Sequence, residues 1–185
     1  MLNIAVFVSG GGTNLQNLID TVLIRKQIKL VVASSDKAYA LERARTNKIP
    51  TLIYRDNEKE LLLILEEKHI ELIVLAGFLK ILSPYFLKNF KGTVINIHPS
   101  LLPAYGGIGM YGLKVHQAVL SDKKSITGAT VHKVTEEPDA GEILDQIEVP
   151  VEKDDTPATL QKRVMEKGEK ILLPRVVEKL LERSL

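Results

Sequence analysis

The chain has no cysteine among its 185 residues. That excludes disulfides, thiolate zinc sites and a cysteine nucleophile together. It also lacks a dominant charge. Its 25 Lys and Arg face 23 Asp and Glu, a net +2 with no basic block, so no nucleic-acid partner is expected. No apolar run approaches the roughly 20 residues that span a bilayer, and the run at residues 2–8 is too short for a signal peptide. A soluble cytoplasmic protein with no membrane partner is therefore expected. The four histidines are scattered with no His-x-x-x-His spacing, so no metal site is expected. What is present is ordinary globular composition, 45% hydrophobic and 26% charged, enough for one domain with a full core.

Short apolar runs rich in β-branched residues occupy positions 4–8, 30–33, 52–54, 72–75 and 94–97. Helical patterns at 15–23, 38–46, 58–68 and 84–89 separate them. Near-continuous apolar strands alternating with helices predict a parallel sheet covered on both faces. After Pro103 the texture changes. A glycine-rich loop at 106–112 precedes a helix around 113–120, and residues 126–134 and 143–149 alternate like an antiparallel pair. Asp155 and Thr156 cap a final amphipathic helix expected to end near Arg183. The expectation is one α/β domain over residues 1–185, doubly wound and mostly parallel (Rossmann-like), with an antiparallel C-terminal edge.

The chemistry-bearing residues cluster at strand ends. Residues 95–103 read Ile-Asn-Ile-His-Pro-Ser-Leu-Leu-Pro. In a strand Asn96 and His98 project from one face, their Cα atoms about 6.5 to 7 Å apart, and Pro99 keeps His98 extended. A neutral donor beside an imidazole on stiff backbone suits a reaction in which a carbonyl oxygen becomes an oxyanion. The turn Ser9-Gly10-Gly11-Gly12-Thr13-Asn14 follows the first strand and opens a helix, so its amides suit a phosphate. It matches neither the P-loop nor the dinucleotide fingerprint; the alternative is a tight turn capped by Thr13 or Asn14. Asp139, in the loop between the late strands, is expected to raise the pKa of His98 if the two approach. Thr130 and His132 share a strand face and either line the cleft or sit in the sheet. His69 reads as a helix-end surface residue and His116 as a packing residue.

Taken together, these segments resemble the folate-dependent formyltransferases over essentially the whole chain. The resemblance runs from the glycine turn through Leu-Ala-Gly-Phe-Leu-Lys-Ile-Leu-Ser-Pro at 75–84 and the 96–103 segment to Glu169. The Asn-x-His-Pro-Ser-Leu-Leu-Pro segment with a downstream Asp marks the group, and the glycine turn narrows it to members acting on a phosphorylated ribose. What the resemblance implies is formyl transfer from 10-formyltetrahydrofolate, the donor co-substrate, to the amine of 5'-phosphoribosylglycinamide in purine biosynthesis. By the same resemblance Asn96, His98 and Asp139 form the catalytic set, with Thr130 in support. Gly11, Gly12, Thr13 and Asn14 hold the ribonucleotide phosphate, and Glu169 its ribose or glycinamide end. Arg55, Leu79, Lys80, Ile81, Leu82 and Asn96, with Thr135, Glu136, Glu137, Pro138 and Asp139, contact the folate. The phosphate-binding half then spans about 1–95, and the catalytic and folate-binding half about 96–185. The implied protein is a monomer or homodimer, and Leu102–Pro103 is expected to be cis. Two departures stand out: Lys80 where arginine is common, and the expanded 106–112 loop. Within the group, a methionyl-tRNA formyltransferase would need a second C-terminal domain and a formyltetrahydrofolate hydrolase an N-terminal regulatory one. A non-enzymatic nucleotide-binding module would leave Asn96, His98 and Asp139 without a task.

Overall fold

The computed structural model describes residues 1–183. The chain divides into two compact units, Met1–Ile95 with the segment from Val177 onward, and Asn96–Val176. In the first unit β1 (Asn3–Val8), β2 (Ile28–Ala33), β3 (Thr51–Ile53) and β4 (Ile70–Leu75) are followed by β5 (Thr93–His98), which continues into the second unit. The order is β3-β2-β1-β4-β5. β1 runs parallel to β2 and to β4, with Val6 opposite both Val31 and Val74, and β2 runs parallel to β3. Residues 4–8 are wholly buried, as expected of a central parallel strand with helices on its faces.

The helices of this unit are α1 (Thr13–Asp20), α2 (Val22–Arg25), α3 (Ala40–Thr46), α4 (Glu58–Glu67) and α5 (Pro84–Asn89). Local chemistry sets their starts. The Asn57 side chain caps α4 by accepting from the Glu60 N–H at 3.2 Å, and Ser83 caps α5 with Pro84 in its first turn. The single helix expected over 15–23 is instead two. Thr21 is extended (φ −86°, ψ 107°), and its hydroxyl donates to the Asn17 carbonyl at 3.1 Å, a side-chain bond that competes with the helical ladder.

In the second unit β6 (Ile126–Lys133) lies beside β5 in the sheet and pairs antiparallel with β7 (Ile143–Pro150), which sets Thr130 opposite Gln146. α6 (Leu113–Ser121) precedes β6. After β7, Thr156 and Thr159 form a capping box for α7 (Pro157–Val164). Arg163 pairs with Asp155 (Nη2–Oδ1, 2.7 Å) and with Glu152 at 3.0 Å. The continuous final helix expected from the sequence is interrupted. A π-helical turn, Met165–Glu169, separates α7 from α8 (Lys170–Glu182). Two features account for the interruption. Pro174 lies inside α8 and has no N–H for the carbonyl four residues earlier. Gly168 lies so close to the sheet that a Cβ there would sit 3.3 Å from both Ala129 and Val149. No described helix is long and apolar enough to cross a membrane, and no group of three or more potential ligands for a metal occurs among the described residues.

Candidate active site

The second unit carries a compact polar cluster where β5 ends. Asn96 and His98 project from one face of that strand, and the turn after them is stitched down by two side chains. The Thr130 hydroxyl donates to Ser100 O at 2.6 Å and accepts from the Leu102 N–H at 3.0 Å. Gln146 Nε2 donates to both Thr130 Oγ1 and Leu102 O at 2.9 Å. Thr130 therefore supports the cluster from behind. The Leu102–Pro103 peptide is cis, as expected.

His98 is 4% exposed. Its Nε2 lies 2.8 Å from the Tyr105 carbonyl, and a carbonyl only accepts, so the neutral ring carries its proton on Nε2. That leaves Nδ1 as the lone-pair nitrogen, 3.6 Å from Asp139 Oδ2. His132 mirrors this arrangement. Its Nδ1 lies 2.9 Å from the Lys133 carbonyl and its Nε2 3.1 Å from Asn96 Nδ2. His132 Nε2 is also 3.4 Å from Asp139 Oδ1. Asp139 thus stands between two imidazoles, with a left-handed backbone (φ 57°) and its Oδ2 accepting from the Gly107 N–H at 2.9 Å. His132, already on the same strand face as Thr130, is a member of the cluster that the sequence left undecided between cleft and sheet. β alternation placed its side chain on a face, and only the pairing of β5 with β6 decides what that face meets.

The electrostatics correct one expectation. His98 does not have a raised pKa. Burial, assisted by the like charge of His132, lowers it, and outweighs the opposing pull of Asp139 and the Tyr105 carbonyl. Asp139 shows the opposite balance. Burial pushes its carboxyl up, but contacts with His132, His98 and the Gly107 N–H outweigh that, and the net shift is downward. His116 is fully buried in α6, as a packing residue would be. Burial first, then the charge of His98, brings it down to about 4.

In the first unit the glycine turn opens α1 with Gly12, not Thr13 or Asn14, at the cap. Gly12 is left-handed (φ 72°, ψ 32°). The turn's carbonyls are held by α3: the Ala40 N–H donates to Gly10 O at 3.1 Å and Arg43 Nε to Gly11 O at 2.7 Å. The carbonyls of Gly10 and Gly11 are thus engaged on the α3 side of the turn. Gly12 has no room for a side chain, since a Cβ would lie 2.6 Å from that of Ala40, whereas Gly11 has nothing within 4 Å. Ser9 Oγ accepts from the Leu79 N–H at 2.8 Å and from Ser34 Oγ at 2.7 Å.

The other positions are placed as follows. Lys80 pairs with Asp56 and lies 5.1 Å from the centre of the Tyr54 ring. Leu79 and Ile81 are exposed and Leu82 is buried. Arg55 lines a cavity of about 470 Å³ with Tyr54 and Arg45. In the second unit Thr135, Glu136 and Glu137 are exposed, Pro138 is half-buried, and Thr135 Oγ1 donates to Glu137 O at 3.0 Å. Glu169 ends the π-helical turn and is buried.

The sequence model of the family described as formyl transferase matches residues 2–177. The chain is 37% identical over 180 residues to the chloroplastic phosphoribosylglycinamide formyltransferase of Arabidopsis thaliana, covering 91% of this chain and 62% of the plant protein. It is 38% identical over 177 residues to the phosphoribosylglycinamide formyltransferase of Haemophilus influenzae, covering 90% of this chain and 81% of the relative. Among solved structures, that of phosphoribosylglycinamide formyltransferase from Anaplasma phagocytophilum superposes with a TM-score of 0.89 at 30% identity, covering 98% of this chain and 88% of the other. The chain thus spans about three-fifths of the length of the plant relative.

Proposed function

We propose, since the chain belongs to the formyl transferase family, that it transfers a formyl group from 10-formyltetrahydrofolate to the amine of 5'-phosphoribosylglycinamide, a step of purine biosynthesis. The observation that carries this reading is the pairing of His98 Nδ1 with Asp139 Oδ2 at 3.6 Å beside the Asn96 amide. Attack of an amine on a formyl carbon needs an acceptor for the amine's proton, a donor for the oxyanion and a counter-charge for the protonated base. The cluster has a group for each.

Asn96 offers one amide hydrogen to His132 and keeps the second for the oxyanion. Neutral His98, held so by burial, takes the attacking amine's proton on Nδ1 as the new C–N bond forms. Asp139 then stabilises the imidazolium. As the bond from the formyl carbon to the folate nitrogen breaks, His98 returns the proton to that nitrogen. The buried histidine is therefore a base at rest and an acid in the second half of the reaction. Thr130 keeps the strand-end turn in register.

In the same reading the turn residues Gly11, Gly12, Thr13 and Asn14 hold the ribonucleotide phosphate, and Glu169 contacts its ribose or glycinamide end. The folate is met by Leu79, Lys80, Ile81 and Leu82, by the loop Thr135, Glu136, Glu137, Pro138 and Asp139, and by Arg55. Lys80, paired with Asp56, keeps a cation at the position where arginine is common in the family.

The test is formyl release from 10-formyltetrahydrofolate with and without 5'-phosphoribosylglycinamide. Release that requires the ribonucleotide, with formylated product in equal amount, supports the reading. Release without it indicates a hydrolase, and binding of the nucleotide with no release indicates a binding module; either result overturns it.

A further inference from the structure

The first residues of the segment after Pro103 touch both partners of the His98–Asp139 pair through the main chain. Tyr105 is left-handed (φ 57°), a conformation that is uncommon and costly for an aromatic residue. In that conformation its carbonyl takes His98 Nε2 at 2.8 Å. Two residues on, Gly107 (φ 92°) donates its N–H to Asp139 Oδ2 at 2.9 Å, the oxygen that faces His98 Nδ1. Between them Gly106 has no space for a side chain, because a Cβ would lie 2.5 Å from Leu102 Cδ2 and 3.1 Å from Asp139 Cβ. The segment is anchored on both sides, by Ser100 Oγ to Ala104 O at 2.7 Å and by the Tyr105 hydroxyl to Asp122 at 2.8 Å.

We propose that Tyr105, Gly106 and Gly107 form a main-chain bracket that selects the Nε2–H tautomer of His98 and holds Asp139 against its Nδ1. The functional consequence rests on the formyl-transfer reading above. A neutral imidazole beside a carboxylate would otherwise place its proton on Nδ1 and donate it to that carboxylate. It would then have no lone pair for an incoming proton. The Tyr105 carbonyl removes that option by claiming the proton at Nε2. The Gly107 N–H satisfies the Asp139 oxygen that would have received it. His132 also acts on the charge of His98, and His98 on that of His116, but neither interaction sets which nitrogen of His98 bears the proton.

The test combines ring-nitrogen NMR of ¹⁵N-histidine-labelled protein, without substrates, with steady-state kinetics. Neutral wild-type His98 is expected as the Nε2–H tautomer. Gly106→Ala is expected to shift it toward Nδ1–H and to lower kcat about 10- to 100-fold, with both KM values within about threefold, because it misplaces a group that acts in the transition state. Tyr105→Asn tolerates the left-handed backbone and keeps the carbonyl, so it should retain the wild-type tautomer. Ile108→Ala, at an 87% exposed position, should leave all parameters unchanged. An Nδ1–H tautomer in the wild type overturns the proposal, even if Gly106→Ala fails to fold. Wild-type tautomer and kcat in a folded Gly106→Ala protein overturn it as well. Absence of ribonucleotide-dependent transfer by the wild type would sink the reading of function while leaving the tautomer result to stand by itself.

Discussion

His98 shows how two opposed effects on a single residue are settled. The carboxylate beside it favours the charged ring and burial opposes it, and burial is the larger effect. The resting protein therefore holds a neutral imidazole at His98, and in the proposed mechanism its protonation belongs to the reaction. Asp139→Asn removes the charge that supports the imidazolium, so kcat is expected to fall about 100-fold, the scale of losing one stabilising group at a developing charge. Without that charge the pKa of His98 falls further. In the proposed mechanism the neutral form is the active one, so the acid limb of the kcat profile should move to lower pH. A pH–rate series on the variant checks both effects, and an acid limb that stays in place would remove Asp139 from the tuning of His98.

Among the elements, the glycine turn and the last helices respond differently to substitution. A side chain at Gly12 collides with Ala40 of α3 and needs a left-handed backbone, so Gly12→Val disturbs the fold before it tests a ligand. Gly11→Val is the cleaner probe. Nothing lies within 4 Å of the added Cβ, and the melting temperature should stay close to that of the wild type. The KM for the ribonucleotide should rise about tenfold or more, with the folate KM unchanged, if phosphate approaches the turn's amides closely. A raised folate KM instead would mean the two substrates are assigned to the wrong elements. At the start of α7, Thr156→Ala removes the capping box and should cost about 1 kcal/mol in a denaturant titration. The strands and most helices were legible because apolar runs and caps are local signals. The break at Thr21 and the π-helical turn at residues 165–169 were not: the first answers to a side chain bonding back to its own helix, and the second to Pro174 together with the closeness of Gly168 to β6 and β7, which only the packed structure reveals.

For the whole molecule, the buried His116 is one group that makes stability depend on pH. Its folded pKa of about 4 lies below the ordinary 6.5, so the unfolded chain binds more protons between those values. The contribution of His116 to stability is fully present above about pH 6.5 and is lost as pH falls toward 4. His116→Leu keeps an apolar side chain in α6 and removes the titrating group, so the fall in melting temperature between pH 7 and pH 4 should become shallower than in the wild type. Equal slopes in the two proteins would assign the acid sensitivity elsewhere. The sequence by itself determined the alternating strand–helix order, the antiparallel final strands, and the placing of Asn96 with His98 on one strand face. Each follows from periodicity or from turn chemistry read within a few residues. Tertiary structure alone decided that Asp139 and His132 meet that face, that the Tyr105 carbonyl claims the His98 proton, and that burial outweighs the nearby carboxylate. Those outcomes depend on which distant segments pack together and how completely they exclude water, and no local pattern of residues records either.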